Sequence, residues 1–316
     1  MAISSLSKVG TAAPPRAAAQ PAEPRFGDDR PWRWFLLSPA LALLLLFSVL
    51  PLLNLLGLSF FNVTWAQGQA TWAPAGLSNY AALGRDELFG AGLRNTAIFA
   101  VLAVAAQMAI GFALALLCSK IGRGRVLYRT IFILPILIPG IVVGAIWKLL
   151  YNFDFGLINQ VIGLLGLDPR DWLGAPETAL LSVIVVDIWH WTPFCFLLLL
   201  AAIESLPQDV YEAAKIDGAS GLQELLHVTL PMMVPAILVT FAFRLVVAFK
   251  VFDEVYLLTG GGPGTATEVL SFTIYQRFFT EDRVGYGSAM AVATIFLVCL
   301  VLVLALTARR RAGAMA

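Results

Sequence analysis

Six stretches of this 316-residue chain are long and apolar enough to cross a lipid bilayer, a thickness that takes about 20 residues of helix. They run over Phe35–Leu58, Leu93–Cys118, Thr130–Leu150, Ala179–Ile203, Pro231–Leu258 and Tyr286–Thr307. Runs of this length and composition are those of transmembrane helices. The expected fold is therefore all-α and polytopic, with six transmembrane helices. Charged residues make up only 13% of the chain, against about 25% in a soluble domain. Pro39, Pro51, Pro135, Pro139, Pro193 and Pro235 lie in or near these spans, where they kink helices and free carbonyls for neighbours to satisfy.

Residues 1–31 are rich in Ala, Pro, Ser and Arg, contain no apolar run and are expected to be a disordered tail. The first apolar stretch begins too late and is too long for a signal peptide. Lys and Arg set the orientation. Lys8, Arg16, Arg25, Arg30 and Arg33 precede the first span; Lys120, Arg123, Arg125 and Arg129 lie between the second and third; Arg309–Arg311 close the chain, in a second tail of residues 309–316. The opposite loops hold Arg85, Arg170, Arg277 and Arg283 in longer segments. Both termini are expected to be cytoplasmic. A net charge of +1 points to no nucleic-acid partner. Cys118, Cys195 and Cys299 fall in or beside apolar runs and are expected to be buried. His190 and His227 are too few and too far apart for a metal cluster. Trp65, Trp72 and Tyr80, between the first two spans, suit a membrane-interface belt.

Between the fourth and fifth spans lies a mostly polar stretch, Leu206–Pro231. Pro207 suits the first turn of a helix, and Gln208, Asp209 and Glu212 suit its positive N-terminal end. Gly218 stops that helix by taking the left-handed turn. A second short helix then runs into Pro231. The spacing of Glu212-Ala213-Ala214, Gly218, Val228 and Leu230-Pro231 resembles the EAA loop of the membrane subunits of ATP-binding-cassette (ABC) importers, with Val228 where Ile is usual. The resemblance implies a cytoplasmic coupling helix that docks on a separate ATPase subunit through Tyr211, Glu212, Ala213, Ala214, Asp217 and Gly218. The glycine run Thr259-Gly-Gly-Gly-Pro-Gly264 lacks the Gly-Lys-Ser/Thr of a phosphate loop, and no other stretch matches that motif. ATP and Mg²⁺ are accordingly expected on partner subunits, with no cofactor bound by this chain.

Phe132-Ile-Leu-Pro135-Ile-Leu-Ile-Pro139 with Ile146-Trp147-Lys148, and Phe249-Lys-Val-Phe252-Asp253 running on to Pro263, are similar to segments of carbohydrate-importer permeases of the maltose-F type. The resemblance covers about residues 90–308. It implies the type-1 (MetI-like) permease fold over residues 93–308, with residues 32–92 holding the first span and an outer loop. It also implies a bacterial or archaeal cell membrane. The implied partners are a maltose-G-like second permease as heterodimer, two ATPase domains, an extracytoplasmic solute-binding protein and membrane lipid.

Ionisable groups inside spans are expensive and so are functional candidates. Asp187, His190, Trp191 and Phe194 recur at helical spacing on one face of the fourth span. A carboxylate and an imidazole bond hydroxyls, and flat rings stack on sugar faces. The resemblance adds Ile136 and Gly140 on the third span, and Arg244, Val247 and Ala248 on the fifth. The competing reading is an Asp187–Arg244 ion pair that only fixes packing. Lys250, Asp253 and Glu254, near the outer end of the fifth span, suit solvated surface or binding-protein contact as well as a pore role.

The expected function is half of the translocation path for a sugar, oligosaccharide, polyol or glycerol-phosphate-like solute, with no catalytic residues. The rivals are a permease for a non-carbohydrate solute and an intramembrane enzyme, for which Asp187 with His190 is the only reactive pair.

Overall fold

The computed structural model describes residues 30–66, 69–122 and 124–313. The expected N-terminal tail, with Lys8, Arg16 and Arg25, lies outside the described residues, as do Arg123 and the side chains of Arg30, Arg33, Arg125 and Arg309–Arg311. Among the described residues five helices are long and apolar enough to cross a membrane, and a helix pair bent by 93° makes a sixth span.

The described residues up to Pro51 belong to a unit of their own. Helix α1 (Arg30–Leu44) passes through a π-turn at Leu45–Val49 into α2 (Leu50–Leu58). The cause is in the sequence. Pro51 has no N–H to give, and the N–H of Leu50 reaches back five residues to Leu45 O. Side chains from Phe35 to Leu53 are exposed along the whole length.

In the second unit a hairpin follows, β1 (Phe61–Ala66) against β2 (Gln69–Pro74) in antiparallel register, with Thr64 bonded to Thr71 across the strands. The hairpin lies in the loop between the first two spans of a fold that is mostly helical, as expected. Tyr80, on α3 (Ser78–Leu83), bonds Ser59 at 2.6 Å and packs on Phe60, while Trp72 is exposed; the Trp65 side chain lies outside the described residues.

Helix α4 (Glu87–Ser119) starts on Asp86, whose Oδ1 accepts from the N–H groups of Leu88 and Phe89. It lies against α8 (Pro176–Glu204), the most extensive helix–helix seam among the described residues. Gly111 makes that seam tight: a Cβ there would come within 2.8 Å of Cys195 Cβ and 2.9 Å of the Phe196 nitrogen. Among the described residues three apolar clusters fill the interior, one around Phe99, Val104, Val183 and Leu245, another around Cys118, Cys195, Phe196, Leu199 and Met233, and a small third of Leu83, Tyr286 and Met290. Cys299, expected to be buried, is exposed on the surface of the last helix, α14 (Val284–Gly313).

The third span is broken rather than continuous over 130–150. Helix α5 (Arg125–Ile133) runs through a 3₁₀ turn, Leu134–Leu137, and α6 (Gly140–Leu150) leaves at 93°. Pro139 forces Ile138 out of the helical region, to φ −84 and ψ 126. A short helix, α7 (Leu157–Leu164), fills the following loop. The loop after α8 carries α9 (Gln208–Ile216) and α10 (Gly221–Glu224). A second π-turn, Leu225–Thr229, then leads into α11 (Leu230–Ala248). Here too Leu-Pro follows the turn, and Leu230 N–H bonds Leu225 O. The fifth span is interrupted at residues 249–252 and resumes as α12 (Asp253–Leu258); α13 (Leu270–Tyr275) precedes α14.

Candidate functional site

The polar face read from the fourth span is real, but most of it points into the protein. Gln107 on α4 donates its Nε2 to both the main-chain oxygen (2.9 Å) and Oδ2 (2.8 Å) of Asp187. Arg244 on α11 donates to the same Oδ2. All three side chains are buried. The Arg244 guanidinium sits 5.1 Å from the Trp191 ring centroid, a cation–π contact. Arg244 Nε and Nη1 and Gln107 Oε1 find no hydrogen-bond partner among the described residues.

His190 belongs to a second knot. Its Nδ1 meets Glu254 Oε1 at 3.1 Å and its Nε2 meets Ile138 O at 3.0 Å. Of the three groups for which solvated surface, binding-protein contact and a pore role were all open, Glu254 is buried beneath α8, while Lys250 and Asp253 are exposed. Asp187 and His190 bond to different partners, so they form no dyad of the kind an intramembrane hydrolase would need.

Trp191 and Phe194 stay half-buried. Phe194 stacks on Phe243 of α11 with centroids 4.8 Å apart, and Trp191 lies edge-on to Phe194 at 6.1 Å. Phe243 is 52% exposed. Together they make a strip of ring faces across α8 and α11. Of the remaining sequence-named positions, Ala248 is buried in the core, and Val247 and Ile136 are half-buried. Gly140 serves packing, since a Cβ there would fall 2.8 Å from Asp253 Oδ2. Sequence alone does not single out Gln107 and Phe243 as site residues, and it names Glu254 only with Lys250 and Asp253 near the outer end of the fifth span. Gln107 does give a signal, as a lone amide in an otherwise apolar stretch of its span.

At one end of the spans, α9 is stopped by Gly218 at φ +75, with Ala219 N–H bonded to Ala214 O. Ser220 opens α10 with a capping box: its N–H bonds Gln223 Oε1 at 2.8 Å. Tyr211 faces inward and bonds Thr229 at 3.1 Å. Glu212, Ala213 and Asp217 are exposed, and Ala214 is half-buried. A cavity of about 420 Å³, lined by Lys120, Glu204, Tyr211, Lys215 and Glu224 among others, lies between this loop and the ends of α4 and α8. Arg129 pairs with Glu204 beside it.

At the other end Asp86 gathers charge. Tyr286 donates to it at 2.7 Å and Arg277 lies 3.3 Å away. Burial pushes the Asp86 carboxyl up, but hydrogen bonds from Tyr286, Phe89 and Leu88 and the Arg277 charge hold it below its ordinary range. Asn95 holds the glycine loop to α4 through Thr265 O and Glu268 O. Among the described residues no three His, Cys, Asp or Glu side chains are placed to hold a metal ion.

Residues 107–311 match the family model described as the binding-protein-dependent transport system inner membrane component. The trehalose/maltose transport system permease protein MalF of Thermococcus litoralis is 35% identical over 84% of this chain and 89% of its own. The sulfoquinovosyl glycerol transport system permease protein SmoG of Agrobacterium fabrum is 33% identical over 84% of this chain and 85% of its own. A bacterial ABC transporter involved in importing the acidic polysaccharide alginate superimposes with a TM-score of 0.78 at 26% identity, covering 90% of this chain and 96% of the other.

Proposed function

Because the chain belongs to the family of binding-protein-dependent transport system inner-membrane components, we propose that it forms half of the translocation path of an ATP-driven importer for a sugar or oligosaccharide. It is a multi-pass membrane permease and not an enzyme. The observation that carries the solute class is the strip of Trp191, Phe194 and Phe243, ring faces beside a buried charged network. Apolar faces of sugar rings stack on such surfaces. Relatives named for trehalose/maltose and for starch degradation products, and a structural neighbour that imports alginate, support the same class.

In this reading Trp191 and Phe194 contact solute, and Phe243 joins them. Asp187, His190 and Arg244 stand behind the strip and hold its helices, with Ile136, Gly140, Val247 and Ala248 shaping the neighbouring spans of the permease domain, residues 93–308. The exposed side of α9, with Glu212, Ala213 and Asp217, docks on an ATPase subunit that carries ATP and Mg²⁺. Tyr211, Ala214 and Gly218 hold the shape of that helix. The Lys/Arg bias of the sequence supports a cytoplasmic side for α9 and for both termini. A second permease completes the path, and a binding protein delivers solute to the opposite face. The neighbouring alginate transporter, solved with a pentasaccharide-bound periplasmic protein, supports that arrangement. The test is to purify the complex with its binding protein and identify the bound solute by mass spectrometry. A peptide or an inorganic anion in place of a carbohydrate would overturn the solute class.

A further inference from the structure

His190 bonds both interrupted spans. Its helix, α8, runs unbroken from Pro176 to Glu204. On one side Nε2 reaches Ile138 O, at the corner of the third span. In a continuous helix that carbonyl would accept from Val142 N–H, but Val142 and Val143 both bond Pro139 O instead. The bend therefore strands the Ile138 carbonyl, and a buried carbonyl without a partner is costly. On the other side Nδ1 reaches Glu254, in the first turn of α12, directly after the interruption of the fifth span. A carbonyl only accepts, so Nε2 carries a hydrogen. The 3.1 Å contact of Nδ1 with the Glu254 carboxyl is the second arm of the link.

The helices that follow the two interruptions are themselves joined. Gly140 lets α6 close on Asp253, and a Cβ at Gly144 would come within 2.8 Å of Leu257 Cβ. Lys148 Nζ donates to Leu257 O at 2.9 Å. From this geometry we infer that His190 is a positioning residue that yokes the interruptions of the third and fifth spans, so that the two change conformation together during transport. The yoke rests on the chain being a moving part of an importer, whatever its solute.

The experiment uses the assembled transporter, with its second permease, ATPase and binding protein, in lipid nanodiscs. Spin labels at exposed Leu137 and Leu149 report the bend of the third span, and labels at exposed Val239 and Tyr256 report the fifth. Distances are read without nucleotide and after trapping with ATP and orthovanadate, beside the rate of ATP hydrolysis. In the parent both distances should shift between the two states. In His190→Leu one should shift without the other, or both distributions should broaden, and stimulation of hydrolysis by the binding protein should fall fivefold or more.

Glu254→Leu and Glu254→Gln guard against a variant that fails to assemble. The glutamine amide can donate to His190 Nδ1 while Nε2 stays on Ile138 O, so Glu254→Gln should keep the distances linked. Glu254→Leu, which removes that arm, should not. Distances in His190→Leu or Glu254→Leu that shift together as in the parent would overturn the yoke. Equal behaviour of the Gln and Leu variants at position 254 would overturn it as well, because charge or bulk would then be the cause.

Discussion

The guanidinium of Arg244 donates to Oδ2 of Asp187 and joins α11 to α8, with 0% of the arginine side chain and 2% of the aspartate exposed. Removing one member leaves the other charged and buried, which costs about 3–5 kcal/mol. Asp187→Ala should therefore cut the amount of assembled, monodisperse complex. Asp187→Ala with Arg244→Ala should partly restore it. Fluorescence-detected size-exclusion of both variants checks this; normal assembly of Asp187→Ala would return Asp187 to the solute path.

Phe243→Ala and Trp191→Ala remove ring faces rather than buried charge. An aromatic contact is worth about 0.5–1.5 kcal/mol, so uptake per assembled complex should fall by roughly two- to tenfold. Uptake of the solute identified by mass spectrometry, normalised to complex, is the measurement. Unchanged uptake in both would remove the strip from the path.

Gly218 holds φ +75, and a Cβ at this position would meet nothing within 4 Å, so a substitution there strains the backbone without a clash. Gly218→Val and Glu212→Lys should each abolish transport while leaving the protein inserted and correctly sized. Pull-down of the ATPase by each variant tells whether docking or transmission is lost.

Gly111→Leu should wedge α4 from α8, because the atoms it would meet include backbone. Overpacking of this kind costs about 1–3 kcal/mol. Thermal unfolding of the purified complex should show a lowered midpoint, more so than for Gly57→Leu, where nothing lies within 4 Å.

Asp86 supplies a pH dependence with a definite sign. Its folded carboxyl titrates below the ordinary value of 3.8, so the charged form stabilises the fold. That contribution is present above 3.8 and is lost as pH falls through the lowered value. Asp86→Asn should flatten the acid limb of a stability-versus-pH curve and leave the neutral region less stable. A parent and variant with parallel acid limbs would refute it.

The spans were legible because apolar length is a property of sequence alone, and the EAA loop because its turn needs a glycine at one place. The bend at Ile138 was half legible: Pro139 announces a break, but neither its 93° angle nor the His190 partner of the Ile138 carbonyl. The hairpin was missed although Val63, Thr64, Thr71 and Trp72 are good strand formers on either side of Gly68. Interface aromatics and strand aromatics look alike in sequence. Periodicity put Asp187 and His190 on one face but could not say what that face meets. Only the positions of Gln107, Arg244 and Glu254 in space turn it inward.

The second π-turn makes the second helix of the loop and the first part of the fifth span one rod. Helix α10, the π-turn and α11 follow one another without a gap from Gly221 to Ala248. At about 1.5 Å per residue, Arg244 stands roughly 35 Å from the start of that rod. A tilt of about 5° at the loop end would sweep the guanidinium through about 3 Å, the reach of a single hydrogen bond. The extra residue of the π-turn also advances the helix phase by about 100°. Deleting one residue from Leu225–Thr229 would therefore leave the rod its length, within a residue, and point Arg244 at a different neighbour.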